Sequence, residues 1–193
     1  LIVAMAGNHT LWRFDPATGR IALFAGDGTE RRLDADDHES AAFAQPSGFA
    51  WDGKTLYVAD SESSSIVAVD PAGPVSTLAG ASESPRDLFH VGDEDGTGRG
   101  RRFQHPLDVA YANGVLYVAD SYNHKIKLLD LENGRVTTLL GTGDPGGNLG
   151  AIAGTQLNEP GGVAVSNGQI LVADTNNHRI LADRKSTRLN SSH

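Results

Sequence analysis

The sequence predicts an all-β fold, a partial β-propeller of about three and a half four-stranded blades out of an expected six, and three observations predict it. A strand, a polar turn and a second strand recur four times, as LIVAMAGNHTLWRFD (1–15), LYVADSESSSIVAVD (56–70), LYVADSYNHKIKLLD (116–130) and ILVADTNNHRI (170–180). Self-similarity on this scale marks a repeat architecture. The register between copies is tight, because Asp60 recurs as Asp120 and Asp174, and Ile66 as Ile126 and Ile180, at intervals of 60 and 54 residues. The apolar runs are four to six residues long, rich in Val, Ile, Leu and Tyr, and bounded by Gly, Asn, Asp and Pro. Such runs suit strands and not helices.

In chain order, the first blade (1–30) opens inside its second strand, so its first strand is expected upstream of Leu1. The second (43–80), third (103–143) and fourth (157–182) blades each open on a shared lead-in, FAQPSGFAW, FQHPLDVAY and LNEPGGVAV. A closing strand follows the repeated hairpin in RIALFAGDG (20–28), VSTLAG (75–80) and RVTTLLGTG (135–143). Four antiparallel strands per unit is the blade pattern; a solenoid is the competing architecture. A closed ring of six blades at about 40–45 residues each needs roughly 240–270 residues, so a chain of 193 is expected to lack blades and to leave apolar faces open. Residues 183–193, DRKSTRLNSSH, abandon the repeat and turn polar. Their order back-translates into a common sequencing adapter, and they are set aside as a cloning or assembly scar.

VADSYNHKIKLLD and VADTNNHRI, each behind a P-x-x-V-A strand, resemble NHL repeats, the family named for its Asn-His-Leu triplet. Asn123-His124 and Asn177-His178 supply the first two letters, whereas Lys125 and Arg179 stand in the third place with Ile behind them. Ser63-Ser64 replace the pair in the second copy, and Met5 replaces the repeated Asp in the first, where Asn8-His9 are in register. The resemblance covers nearly all of residues 1–180 and implies a propeller. MAGNHTLWRFD, FAQPSGFAW, DLFHVGDEDG and QHPLDVAY with LYVADSYNHKIK further resemble the propellers of the NHL-repeat-containing protein 2 family and its bacterial relatives. In that family the propeller follows a thioredoxin-like domain. The resemblance therefore implies a non-catalytic accessory propeller that presents a binding surface to a protein or small ligand. The chain has no cysteine, so no thiol chemistry belongs to this stretch.

Without the tail, which carries Arg184, Lys185, Arg188 and Asp183, the chain holds 13 basic and 23 acidic residues, a net charge of −10 with His neutral. Phosphate-backbone recognition needs clustered Lys and Arg, so no nucleic acid is expected as a partner. The one basic cluster, Arg99, Arg101 and Arg102, lies beside Asp93, Glu94 and Asp95 and reads as a solvated, self-compensating loop. No apolar run approaches the 18 or so residues of a membrane span, so no membrane is expected either. Localisation leans to the cytoplasm on the absence of cysteine.

Asp60, Asp120 and Asp174 end the second strand of three blades, where a short acceptor can bond its own turn. A ring of carboxylates around a cation is the functional alternative, but a metal site needs unlike ligands converging on one point. His124 and His178, with His9 in register, invite comparison with family enzymes that hold zinc on propeller histidines, such as the peptidyl amidating lyase. No H-x-x-x-H or H-x-H spacing occurs, and a His bonding a neighbouring turn is the favoured reading. Asn123 and Asn177 count with them as turn residues of the repeat. His38 and His90, in long inter-blade loops, are the freer candidates for ligand contact. GTGDPG (141–146) matches G-x-G-x-x-G, yet no helical period follows it, and GDEDGTG (92–98) lacks the ligand spacing of a calcium loop. Asn8-His9-Thr10 is a glycosylation triplet. The serines of SESSS (61–65) sit in a turn without a G-x-S-x-G elbow, and no nucleophile–base pair stands out. No catalytic residue, metal or cofactor is assigned. A metal-dependent lyase or hydrolase, and an RNA-binding propeller, are the other two classes.

Overall fold

The computed structural model describes residues 1–80 and 82–184, and within them every regular element longer than a single 3₁₀ turn is a strand. The first sheet holds β1 (Ile2–Met5), β2 (Thr10–Asp15) and β3 (Arg20–Ala25). The second holds β4 (Pro46–Trp51), β5 (Leu56–Asp60), β6 (Ser65–Val69) and β7 (Val75–Gly80). The third holds β8 (Pro106–Ala112), β9 (Val115–Asp120), β10 (Lys125–Asp130) and β11 (Val136–Leu140), and the fourth β12 (Pro160–Ser166), β13 (Gln169–Asp174) and β14 (Arg179–Arg184). Each is an antiparallel meander in chain order. β1 aligns with β5 and β9, so the first sheet begins at the second strand of the repeat. β14 pairs Arg184 with Gln169, two residues past the boundary drawn at 182, since backbone pairing does not depend on the side chains that changed. Residues 185–193 lie outside the described residues.

Burial explains why the strands read as unbroken apolar runs. In β5 and β6 every residue is buried, because successive side chains alternate between two faces and both faces are covered. Leu56 and Val58 pack toward the first sheet with Leu11, Ala25 and Phe43. Tyr57, Ala59 and Ile66 pack the other way, against Phe103 of the third blade's lead-in and Val109, Leu116 and Val118 of the third sheet. Tyr117, Ala119 and Ile126 repeat the arrangement against Leu157 of the fourth blade's lead-in and Val163, Ile170 and Val172 of the fourth sheet. The cores thus lie between blades and not within them. Ile180, in the place of Ile66 and Ile126, is 68% exposed where they are 0%.

The turn between the second and third strands of each blade closes on a left-handed residue, His9, Ser64, His124 or His178, with φ between 51° and 56°. His and Asn tolerate that region better than most residues. The closing strand must then pass very near this turn. Gly141 (φ 101°) has no Cβ because one would run into the His124 carbonyl and lie 2.9 Å from Lys125 Cα. Gly26 and Gly80 occupy the same place in the earlier blades.

Candidate functional site

The repeated Asp, fully buried in three blades, does not bond the amides of its own turn as an Asx turn would. It reaches 16 residues back to the lead-in: Asp60 Oδ1 accepts the Ala44 N–H at 2.8 Å, Asp120 Oδ1 that of Gln104 at 2.7 Å, and Asp174 Oδ1 that of Asn158 at 2.7 Å. The carbonyls of Ala44, Gln104 and Asn158 in turn accept the N–H of Glu62, Tyr122 and Asn176 in the turns. Each lead-in is therefore stapled from both sides. The second carboxylate oxygen takes the NHL asparagine, with Asn123 and Asn177 donating at 2.8 Å and spending their other N–H on the carbonyls of Gly92 and Gly146 at 2.7 Å. Ser63 stands in for that Asn in the second blade, donating to Asp60 Oδ2 at 2.5 Å.

The residue after the Asn works across the blade boundary. His9 Nδ1 accepts the N–H of Gln45 at 3.3 Å, and His124 Nδ1 that of Glu159 at 3.1 Å. Ser64, which replaces the histidine, accepts the His105 N–H at 3.1 Å. All three donors have positive φ and precede the proline that starts the next blade. These side chains latch one blade to the next, which accounts for the repeat better than a zinc role. Among the described residues no three His, Cys, Asp or Glu are grouped to hold a metal ion.

Burial pushes the carboxyls of Asp60 and Asp120 up to about 7, against the pull of Ser63 and Ala44 on the first and of Asn123, Gln104 and Lys127 on the second. A carboxyl raised in this way contributes stability that is complete below the ordinary carboxylate range and fades as pH rises through about 7. The counter-charges come from non-equivalent positions. Arg179 Nε lies 2.7 Å from Asp174 Oδ2. In the third blade the cation is Lys127, wholly buried, with Nζ 2.7 Å from Asp93, 3.2 Å from Asp95 and 3.7 Å from Asp120. In the second blade the Arg32 guanidinium acts on Asp60 from the preceding loop, and Val67 stands where Lys127 does. Bridges Leu33–Ala42 and Glu94–Arg102 put Arg32 and Asp93 in equivalent places, so the charge is swapped between loop and strand.

This overturns the self-compensating reading of the loop for Asp93, Asp95 and Arg101. Asp93 is bound to Lys125 and Lys127, and Asp95 accepts the backbone and hydroxyl of Thr138. Arg101 turns away from these acids and, among the described residues, donates to carbonyls alone: Gly98 at 2.6 Å, Leu78 at 2.8 Å, and Gly134. It lines an open cavity of about 630 Å³ between the outer strand β7 and the segment leading into the third blade, together with Arg32, Thr77, His90 and Arg102. His90, one of the two loop histidines singled out from sequence, therefore lines this cavity. The other, His38, bonds the Asp70 carbonyl at 2.7 Å and packs against Phe24 with the ring centres 4.8 Å apart and the planes tilted by 53°.

Sequence reasoning missed Arg32 and Asp108 here and misread Arg101, which it placed in a solvated loop. Arg32 and Arg101 stand where other blades carry Asp93, or Ala41 and Thr155. Asp108 stands where they carry Gly48 and Gly162. It joins two innermost strands, accepting the Val163 N–H at 2.9 Å, and burial raises its carboxyl above the usual range. The available signal was a departure from an otherwise regular repeat.

The NHL repeat family model matches residues 103–127 and 157–182. Protein SUPPRESSOR OF QUENCHING 1, chloroplastic, of Arabidopsis thaliana is 47% identical over 184 residues, covering 92% of this chain and 17% of its own length. NHL repeat-containing protein 2 of Bos taurus is 42% identical over 201 residues, covering 93% and 28%. The chain thus spans less than a third of either relative. A solved auxiliary nutrient binding protein of Bacteroides thetaiotaomicron VPI-5482 superposes with a TM-score of 0.71 at 18% identity, over 94% of this chain and 44% of that one, a likeness of fold. With stacked antiparallel blades of three and four strands, repeats matched by the family model and relatives this similar across nine-tenths of its length, the chain belongs to the NHL-repeat β-propellers.

Proposed function

We propose that these blades form a non-catalytic binding propeller, the accessory unit of a longer protein that carries a thioredoxin-like domain. One observation carries the reading: the polar groups that recur from blade to blade are spent on stapling lead-ins and latching neighbours, while Arg32, Arg101 and His90, which do not recur, line one cavity. The repeat builds the frame, and a local departure from it equips one place on that frame. The identity to relatives more than three times as long supports membership in a larger protein.

The frame also continues in this reading. His178 has the left-handed backbone of His124 and is exposed, and Ile180 beside it is bare. A further blade of the same kind, with a residue–Pro lead-in donating to His178, would cover both. The competing enzyme reading requires a metal. Metal analysis of the purified chain after gel filtration is expected to give only substoichiometric zinc, calcium or magnesium. One tightly held ion per chain would replace the binding reading with the lyase or hydrolase one.

A further inference from the structure

We infer that the cavity between the second and third blades is a binding site for a small oxyanion, a phosphate or carboxylate group, with Arg101 as its principal anchor. This rests on the binding-propeller reading and names the ligand class of its cavity. The first ground is charge. Arg101 is partly buried, burial lowers its pKa, and its hydrogen bonds go to three carbonyl oxygens and to no carboxylate. A guanidinium drawn partly out of water gains from an anion beside it, and its planar donor fork suits phosphate or carboxylate oxygens better than any other ligand group.

The second ground is convergence. Arg32 donates to Thr77 Oγ1 at 3.0 Å while Arg101 donates to the Leu78 carbonyl at 2.8 Å, so consecutive residues of β7 hold two guanidinium groups at one cavity wall. Arg32 Nε is buried without a hydrogen-bond partner. His90 and Arg102 line the same space, along with the acids Asp34 and Glu83. Asp34 is already engaged by Arg32 at 3.1 Å and by the Thr77 amide and hydroxyl, and among the described residues the hydrogen bonds of Arg101 go to carbonyls.

The third ground is the repeat itself. Ala41 and Thr155 occupy the place of Arg101 in the other blades, and the same strand arrangement forms around them. The fold therefore does not require a guanidinium there. A cationic pocket on a chain of net charge −8 is also where an anion would be drawn.

The test is isothermal titration of the whole chain with inorganic phosphate and, separately, with citrate, at constant ionic strength set with potassium chloride. Saturable binding below about 10 mM by either probe, weakened about tenfold or more in R101Q, is the expected result, and the stronger probe tells phosphate from carboxylate. Should R101Q fail to fold, the arginine Nε–Hε NMR signals of the unaltered chain decide. Those of Arg101 and Arg32 are expected to move with the probe and those of the exposed Arg20 and Arg86 are not. Absence of saturable binding by both probes, equal binding by folded R101Q, or uniform movement of all arginine signals overturns the inference. Because none of these outcomes involves a metal, they are separable from failure of the binding-propeller reading.

Discussion

Replacing Lys127 by Met is expected to destabilise the chain by about 3–5 kcal/mol, the usual consequence of removing one partner from a buried ion cluster. Met keeps the aliphatic stem that runs beside Phe103 and deletes the charge alone. Burial works to lower the Lys127 pKa, but its hydrogen bond to Asp93 and the charges of Asp120, Asp93 and Asp95 hold it above the ordinary lysine value. Without it those three carboxylates face one another, and Asp120 is wholly buried. The loss should depend on pH in a definite direction. The Asp120 carboxyl, already raised to about 7, loses a cation that lowered it, so K127M is least harmful near pH 5, where Asp120 is protonated, and more harmful at pH 8. Urea midpoints at the two values measure the difference, and an equal loss at both would show that Lys127 is not the counter-ion. The second blade offers a rescue, since it meets the same need with Arg32 and Val67. The double substitution D93R/K127V transplants that arrangement and should recover most of the lost stability.

Truncating Phe103 to Ala is expected to cost a comparable 3–5 kcal/mol. Phe103 is 0% exposed and, with its counterparts Phe43 and Leu157, fills the seam between adjacent blades. Losing its ring removes packing from both the second and the third sheet at once, and the seam cannot collapse easily because the staple at Gln104 fixes the neighbouring backbone. Phe89, 90% exposed, is the control: F89A should change stability by less than about 0.5 kcal/mol. Lys127 Nζ lies 5.8 Å from the Phe103 ring centre, so the two large effects should not add in the double variant. A cost for F103A below about 1 kcal/mol would place the main core elsewhere.

The blades were legible because hydrophobic period and register survive in the sequence: Asp60, Asp120 and Asp174 mark the ends of β5, β9 and β13, and each Pro lead-in opens an innermost strand. What these residues bond was less legible. Spacing shows that Asp120 recurs but not that its partner lies 16 residues upstream, nor that His124 reaches into the following blade, because both contacts are made by the three-dimensional meander. The counter-charges were hidden for a different reason. Arg32, Lys127 and Arg179 do one job from three non-equivalent positions, so no column of the repeat displays them. Arg101 looked paired because acids are near it in sequence. In space Asp93 and Asp95 belong to Lys127, which no sequence separation of 32 to 34 residues announces. The cavity, made where one blade departs from the others, follows from that same irregularity.

Sequencing the gene across both flanks of this stretch tests most directly whether these blades are the binding unit of a longer, thioredoxin-associated protein. The expected result is an in-frame W-C-x-x-C-type segment upstream and, in place of residues 183–193, a further blade whose lead-in sets a large apolar residue three positions ahead of a proline. A signal peptide running directly into the first blade, or DRKSTRLNSSH followed at once by a stop codon, would contradict it.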